Sequence, residues 1–346
     1  MTRPAAVIVL AAGQGTRMKS ALPKVVHPVA GLSMIGHALR AADALEPEHL
    51  VAVVRHERDT VVAEALRVVP RTFVADQDDV PGTGRAVLCA LEALSAKVGP
   101  VGGTVVVTSG DVPMLSAGTL RALVETHEGA AHAVTVLTSI TSDPTGYGRI
   151  VRDQDGQVIA IVEQKDATEA QRAITEVNAG VYAFDGEFLA RTLAGVGTDN
   201  AQGEVYLTDV LAAAAPAGRT AGAVVLEDAW EAQGCNDRVQ LAQLGAEFNR
   251  RICEKHMRAG VTIEDPSSTW IDVDVTIGAD TVIRPATYLR GSTEIGARCE
   301  IGPGTTLDDV RVGDGAHLPA VWGAGAVVAG DTMGTPFSVL GESDRD

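Results

Sequence analysis

Two different hydrophobic periods divide the chain. Over the first 236 residues, short apolar runs of strand length alternate with stretches in which apolar residues recur at helical spacing. Strands separated by helices of this length predict a doubly wound, mostly parallel α/β sheet that binds ligands at the carboxyl ends of its strands. The predicted strands cover 7–10, 50–54, 72–75, 104–108, 132–137 and 158–162, and the predicted helices cover 32–44, 59–68 and 85–94.

The second period lies in the last third of the chain, where an aliphatic residue recurs every six positions. Six-residue steps, three to a coil, are typical of a left-handed parallel β-helix built from hexapeptide repeats. The step shortens to five residues at Val312, and the regular pattern ends near Val328. The unbroken series consists of Ile271, Ile277, Ile283, Leu289, Ile295, Ile301 and Leu307.

The two periods predict the order of domains. An α/β domain should occupy residues 1–236, and a helix within 237–260 should link it to the second domain. The incomplete β-helix should occupy 261–330. Residues 331–346 follow the last repeat and end in an acidic stretch, so we predict a disordered tail there.

Composition narrows the classes of protein to consider. The 346 residues are 46% hydrophobic and 21% charged, which is ordinary for a soluble globular protein. The chain has no signal-peptide pattern and no membrane-length apolar run, so we predict a cytoplasmic protein without membrane partners. A net charge of -17 argues against nucleic-acid binding, but not against a nucleotide ligand. The four cysteines form no CxxC pair, which argues against a zinc site and a disulfide framework.

A turn of small residues follows the first predicted strand. Gly13 and Gly15 allow backbone N–H groups to point at a phosphate, and Arg17 and Lys24 add two cations close behind. The spacing matches neither the P-loop nor the dinucleotide fingerprint, because no GK[ST] and no third glycine stand where those motifs need them. The turn and its cations therefore predict a phosphate site of another kind.

Three further polar positions have two interpretations each. Gln77, Gly82 and Thr83 suit contacts with the edge of a base, or form a plain loop that caps the next helix. Asp111 directly follows a buried strand, where it could hold Mg²⁺ or cap a turn. Asn236 precedes a helix, where it could hold a metal or serve as the N-cap.

The motif LAAG-x-GTRM-x(5)-K at 10–24 resembles the signature of the sugar-1-phosphate nucleotidyltransferases. With VVHPVAG directly after it, the stretch resembles the uridyltransferase half of the bacterial bifunctional N-acetylglucosamine-1-phosphate enzymes. PTGYGRI at 144–150 and NAQGEVYLTD at 200–209 resemble further motifs of that family. The resemblance covers about residues 5–330.

The resemblance implies a role for each matching residue. Arg17 and Lys24 would be catalytic, by stabilising charge on the phosphates, while Asp111 and Asn236 would hold Mg²⁺. The implied nucleotide contacts are Leu10, Ala11, Ala12, Gly13, Lys24, Gln77, Gly82 and Thr83. The implied sugar contacts are Ser109, Gly110, Gly148, Glu163, Asn178 and Asn236.

The implied function is a Mg²⁺-dependent uridylyltransferase that makes UDP-N-acetylglucosamine, a cell-wall precursor, from UTP and N-acetylglucosamine 1-phosphate. The sequence departs from the family at Val80, Arg85, Ala179 and Val205. The departures at Val80, Arg85 and Ala179 leave open another sugar 1-phosphate or nucleotide as substrate. A non-catalytic, nucleotide-binding paralogue is a further alternative. The presence of all four matching residues, Arg17, Lys24, Asp111 and Asn236, argues against it.

Two expectations concern the second domain. In the family, the residues of an acetyltransferase follow a PF-x-x-LRPG segment. Here the matching stretch reads PFSVLGESDRD, in which glycine takes the place of the arginine that follows the leucine in the family. We therefore expect no acetyltransferase activity from these 346 residues. The resemblance also implies a homotrimer assembled through the β-helix.

Overall fold

The computed structural model describes residues 3–341. The described chain divides into two compact units: residues 3–27 with 33–238, and residues 28–32 with 239–341. No helix among residues 3–341 combines the length and the apolar character needed to cross a membrane.

The first unit is built on one sheet with helices on both sides. Its central strands run in the order β11-β7-β10-β6-β1-β4-β5, and β8 and β9 extend the sheet from β10. All neighbours along the central order are parallel except β10, which is antiparallel to β6 and β7. The strands are β1 (Ala6–Leu10), β4 (His49–Val54), β5 (Phe73–Asp76), β6 (Thr104–Ser109), β7 (Val134–Ile140), β8 (Arg149–Arg152), β9 (Val158–Val162), β10 (Glu176–Asp185) and β11 (Ala221–Val225). The short strands β2 (Pro28–Val29) and β3 (Leu32–Ser33) pair with each other.

Alternating side chains of the sheet feed two separate cores. Ala6 and Ile8 of β1 pack into one apolar cluster, while Val7 and Val9 pack into the other, because successive side chains of a strand point to opposite faces. The flanking helices are α1 (Met34–Asp43), α2 (Arg58–Val68), α3 (Thr83–Val98), α4 (Ala117–Gly129), α5 (Glu169–Arg172), α6 (Gly186–Leu193) and α7 (Asp209–Ala212). Short 3₁₀ turns lie at Thr16–Met18, Lys24–Val26, Ala215–Ala217 and Ala229–Ala232.

The predicted fold class is confirmed. Each predicted strand and helix of the first unit is present, and its ends differ from the predicted ends by at most four residues. Strand β1 lies at the centre, with β4 on one side and β6 on the other. The chain leaves β1 in one direction towards β4 and β5, and returns later to β6 on the other side, so the carboxyl ends of these strands form a topological switch point, where α/β sheets bind ligands.

The second unit begins with helix α8 (Arg238–Arg258) and continues as a left-handed parallel β-helix. Three narrow parallel sheets form its sides, in the orders β12-β15-β18-β21, β13-β16-β19-β22-β24 and β14-β17-β20-β23. The aliphatic residues of the six-residue series point inwards, and Ile271 and Leu289 are buried. The strands are β12 (Thr262–Ile263), β13 (Trp270–Ile271), β14 (Thr276–Ile277), β15 (Val282–Ile283), β16 (Tyr288–Arg290), β17 (Glu294–Ile295), β18 (Glu300–Ile301), β19 (Thr306–Asp308), β20 (Arg311–Val312), β21 (His317–Leu318), β22 (Trp322–Ala324), β23 (Val327–Val328) and β24 (Val339–Leu340).

The predicted disordered tail needs a correction. Strand β24 lies within 331–346 and pairs in parallel with β22, so that Val339 stands beside Trp322. His317 also forms a bridge with Met333. Residues 331–341 therefore continue the last coil, while 342–346 lie outside the described residues.

Candidate active site

Four predicted side chains of the first unit meet in one place. The Lys24 ammonium forms a salt bridge with Asp111 and donates a hydrogen bond to the Asn236 amide oxygen at 3.2 Å. The Arg17 guanidinium donates to the same amide oxygen at 2.8 Å. Side chains separated by more than 200 positions thus converge at one point.

The local backbone explains how these groups are held. Asp111 follows β6, and its carboxylate accepts a hydrogen bond from the Ser109 hydroxyl at 2.6 Å. Its carbonyl accepts from the Cys235 N–H at 2.9 Å, which brings Asn236 next to it. Gly15 has a φ of +63°, and a Cβ there would lie 2.5 Å from the Lys24 Cβ. Only glycine allows the loop to pass so close to Lys24.

The oxygen atoms at this point fit a hard divalent cation. The Asp111 carboxylate and the Asn236 amide oxygen are the ligand types that Mg²⁺ prefers, with phosphate oxygens and water completing the shell. Side-chain exposure of Lys24 is 13% and that of Asp111 is 17%, so water competes weakly for both groups. A charged ligand in this position gains more from Lys24 than it would from a lysine at an open surface.

A cleft of about 320 Å³ opens beside these groups. The predicted nucleotide contacts come together around it, since the first turn forms one wall and the loop after β5 forms another. Ser109 and Asp111 close the end near the cations. The predicted nucleotide contacts among its lining residues are Leu10, Ala11, Ala12, Gly13, Lys24, Gln77, Gly82 and Thr83.

The loop after β5 is shaped by its own side chains and by a distant segment. Gln77 donates from its amide to the carbonyls of Val80 and Gly82, at 3.0 and 3.2 Å. Gly82 has a φ of +122°, and a Cβ there would lie 2.3 Å from the Val205 carbonyl oxygen. The glycine is therefore required both by its backbone conformation and by the close approach of residue 205.

Two of the departures from the family, Arg85 and Ala179, do not line the cleft. Arg85 forms a salt bridge with Asp78, which lowers the pKa of that carboxyl, and Arg85 does not line the cleft. Ala179 is buried in the apolar cluster that contains Val181. Neither residue offers a group to the cleft.

The predicted sugar contacts form a second cluster. The Asn178 N–H donates to the Gly148 carbonyl at 2.9 Å, and a Cβ on Gly148 would lie 3.2 Å from a Glu163 carboxylate oxygen. The Asn178 amide also donates to the Tyr182 hydroxyl at 2.6 Å. Burial raises the pKa of Glu163, and the neighbouring carboxylates, led by Asp166, raise it further. Gly148, Glu163 and Asn178 thus lie together, as predicted.

The other predicted sugar contacts, Ser109, Gly110 and Asn236, lie near Lys24 and Asp111. The Ser109 hydroxyl is bonded to Asp111, and Asn236 accepts from both cations. The Gly110 N–H donates to the Leu10 carbonyl at 2.8 Å, and Gly110 is buried.

Sequence reasoning missed several residues that line the cleft. Arg55 and His56 directly follow β4, and the rule that ligands gather at the carboxyl ends of parallel strands could have found them. Gln14 and Glu204 also line it. Thr208 occupies the N-cap position of α7, but its side chain makes no capping hydrogen bond there.

Comparison with known proteins gives matches in both units of the chain. A family model described as "MobA-like NTP transferase domain" matches residues 7–175, and a model of six bacterial transferase hexapeptide repeats matches residues 274–309. The bifunctional protein GlmU of Pseudarthrobacter chlorophenolicus is 56% identical over 339 residues, which cover 98% of this chain and 69% of that protein.

Relatives from other genera give the same result. Those named bifunctional protein GlmU in Kineococcus radiotolerans and Mycobacterium marinum are 54% and 53% identical, over 99% and 97% of this chain and 69% and 68% of their own lengths. The match spans both units. The chain therefore belongs to the GlmU family, and it is a nucleotidyltransferase of the sugar-1-phosphate type.

Proposed function

We propose that this chain transfers a uridylyl group from UTP to N-acetylglucosamine 1-phosphate, with Mg²⁺, to give UDP-N-acetylglucosamine and pyrophosphate. The observation that supports it most is the convergence of Arg17, Lys24, Asp111 and Asn236 at the end of a cleft lined by glycine turns. That arrangement suits a triphosphate whose reacting phosphorus lies beside the cations.

The chemistry needs no nucleophilic side chain. An oxygen of the sugar phosphate attacks the α-phosphorus, the new P–O bond forms, and the bond to the β-phosphate oxygen breaks so that pyrophosphate leaves. Lys24 and Arg17 neutralise charge on the phosphates, and the first turn offers backbone N–H groups. Asp111 and Asn236 would hold Mg²⁺, which when bound supplies positive charge to the phosphate oxygens.

The second cluster would orient the acceptor. Glu163, as a carboxylate, would accept hydrogen bonds from sugar hydroxyls, while the Gly148 N–H and the second N–H of the Asn178 amide would contact the N-acetyl group. Arg85 and Ala179 bring no new polar group into either cluster. The alternative of another sugar 1-phosphate or nucleotide rests on Val80, Arg85 and Ala179, and the substrate panel below decides between them.

The test is pyrophosphate release by the purified chain, with UTP, Mg²⁺ and a panel of hexose 1-phosphates. We expect release with N-acetylglucosamine 1-phosphate and its loss when the metal is chelated. Release with a different sugar alone would overturn the substrate assignment, and no release from a folded protein would overturn the activity. A parallel arm with acetyl-CoA and glucosamine 1-phosphate should show no acetyl transfer by these 346 residues.

We also propose that the chain forms a homotrimer through the β-helix. One side of the helix carries a row of exposed apolar residues in register: Trp270 beside Tyr288, and Trp322 beside Val339, with Thr306 between the pairs. Trp322 is 65% exposed and Val339 is 79% exposed. An apolar row of this length on the surface favours an interface.

A further inference from the structure

The segment 200–207, which we call the strap, is a preformed turn. The Asn200 side chain builds it, because its amide oxygen accepts from the N–H groups of Gln202 at 3.1 Å and Glu204 at 3.2 Å. Its amide nitrogen donates to the Glu204 carbonyl at 2.6 Å. These three side-chain hydrogen bonds, together with the bond from the Gly203 N–H to the Asn200 carbonyl at 3.1 Å, shape the turn.

One end of the strap is bonded to the base loop, residues 81–84. The Val205 N–H donates to the Pro81 carbonyl at 3.0 Å, and the Gly84 N–H donates to the Val205 carbonyl at 2.9 Å. The Leu207 N–H approaches the Thr83 hydroxyl at 3.4 Å. The base loop thus obtains part of its backbone hydrogen bonding from a segment 120 positions away.

The other end of the strap is bonded to the sugar loop, residues 163–166. The Asp166 carboxylate accepts from the Ala201 N–H at 3.1 Å and lies 3.5 Å from the Tyr206 hydroxyl. The Asp166 N–H in turn donates to the Glu163 carbonyl at 3.0 Å. One carboxylate therefore connects the strap to the strand end that carries Glu163.

A second connection runs beside the first. The Lys165 ammonium donates to the Gln202 side-chain oxygen at 2.9 Å, and the Gln202 amide donates to the Tyr206 hydroxyl at 2.8 Å. Glu204, between the two ends, lines the nucleotide cleft. The strap thus touches the base loop, the cleft and the sugar loop with hydrogen bonds at each end.

We infer that the strap positions the base loop through the sugar loop, with Asp166 as a positioning residue for nucleotide binding. The inference rests on the proposed function for the identity of the nucleotide. Loss of the Asp166 carboxylate frees the Ala201 end, so the backbone bonds at Val205 no longer hold residues 81–84 in one conformation. Ordering that loop on binding then costs conformational entropy, which weakens the nucleotide complex.

The experiment measures UTP affinity by calorimetry, with Mg²⁺ and without the sugar phosphate. For Asp166→Ala we expect UTP to bind about tenfold more weakly, the scale of one lost hydrogen bond to a charged group. Asp166→Asn keeps an acceptor for the Ala201 N–H and should restore most of the affinity. The matched control is Asp153→Ala, because that carboxylate accepts from Asp155 and Gln157 within its own turn.

Hydrogen exchange separates this inference from the proposed function. The Gly84 amide should exchange faster in Asp166→Ala than in the wild type or in Asp153→Ala, whether or not UTP binds. Unchanged exchange at Gly84 would overturn the strap as a positioning element. Unchanged UTP affinity, with only the KM for the sugar phosphate raised, would show that Asp166 acts on its own loop alone. Absence of UTP binding by the wild type, with Gly84 exchange still altered in Asp166→Ala, would overturn the proposed function and not the strap.

Discussion

At the residue scale, Lys24 stands between the two predicted metal ligands. Lys24→Ala removes the cation that contacts both Asp111 and Asn236, so charge on the reacting phosphate loses a fixed partner. We expect the rate of pyrophosphate release to fall by about a hundredfold or more, as when one charge-stabilising donor is removed from an active site. Asp111→Ala should abolish turnover as well. The measurement is kcat at saturating substrates.

The Lys24 prediction has a structural control. The circular dichroism spectrum and the thermal midpoint of Lys24→Ala should stay close to those of the wild type. The reason is that Lys24 and Asp111 lie beside the cleft and outside both apolar clusters. The control is Lys97→Ala, which removes another lysine side chain, in the last turn of α3, and should keep full activity. Wild-type rates in Lys24→Ala would contradict its catalytic role.

The raised pKa of Glu163 predicts a pH dependence of sugar binding. Burial and the charge of Asp166 favour the protonated acid, so Glu163 gains its proton at a higher pH than an exposed glutamate does. The protonated form accepts fewer hydrogen bonds from sugar hydroxyls. As the pH falls, the KM for the sugar phosphate should therefore begin to rise at a pH above that at which an exposed glutamate gains its proton, while the KM for UTP changes less.

Glu163→Gln tests whether that residue causes the effect. Its amide does not titrate, so its KM for the sugar phosphate should be high throughout and should lose the Glu163 component of the pH profile. A profile that matches the wild type would assign the pH dependence to the substrate or to another group.

Part of this residue-level organisation could be predicted from the sequence. Asp111 and the cationic turn follow neighbouring parallel strands, whose carboxyl ends must meet at one edge of the sheet. The orientation of Arg85 could not be predicted, because it depends on the side-chain conformations that bring Arg85 and Asp78 together. Such local pairing leaves no periodic pattern in the sequence.

At the scale of elements, the contact between the strap and the base loop predicts the effect of a methyl group. Gly82→Ala places a Cβ 2.3 Å from the Val205 carbonyl oxygen at a φ of +122°. A backbone atom cannot move aside as a flexible side chain can, and the backbone conformation alone costs about 1–3 kcal/mol. We expect a lower thermal midpoint and UTP binding weakened by at least about tenfold.

Gly156→Ala is the matched control for Gly82→Ala. Gly156 also has a positive φ, +80°, but a Cβ there would meet no atom within 4 Å. Its change therefore carries the conformational cost without the contact and without the base loop. Equal losses of UTP affinity in the two variants would show that the approach of Val205 has no role in nucleotide binding.

At the scale of elements, some contacts leave a pattern in the sequence and others do not. Hydrophobic periodicity located the strands and the six-residue repeat, because both depend on burial. The strap is bonded to residues 81–84 mainly through backbone N–H and carbonyl groups, which leave no pattern in the sequence. Strand β24 was missed because residues 329–338 interrupt the six-residue step. The distance from Trp322 to Val339 still equals about one coil, and that spacing could have predicted the pair.

At the scale of the whole molecule, the proposed trimer depends on the balance between an apolar row and a large negative charge. Each chain carries a net charge of -17, so three chains repel one another, and the repulsion is screened by salt. Light scattering after size exclusion should give three times the chain mass of 35.8 kDa. The protein concentration below which the trimer dissociates should fall as the salt concentration rises.

A charge placed in the apolar row should break the assembly. Trp322→Glu adds a carboxylate to a position that is 65% exposed, so it costs the single chain little, but it would be buried at an interface. Val98→Glu is the control, because Val98 is also exposed and ends α3 in the first unit. We expect the first variant to become monomeric and the second to keep the wild-type mass. A trimer that survives Trp322→Glu would place the interface on another side of the β-helix, and a wild type that is monomeric at every salt concentration would overturn the assembly itself.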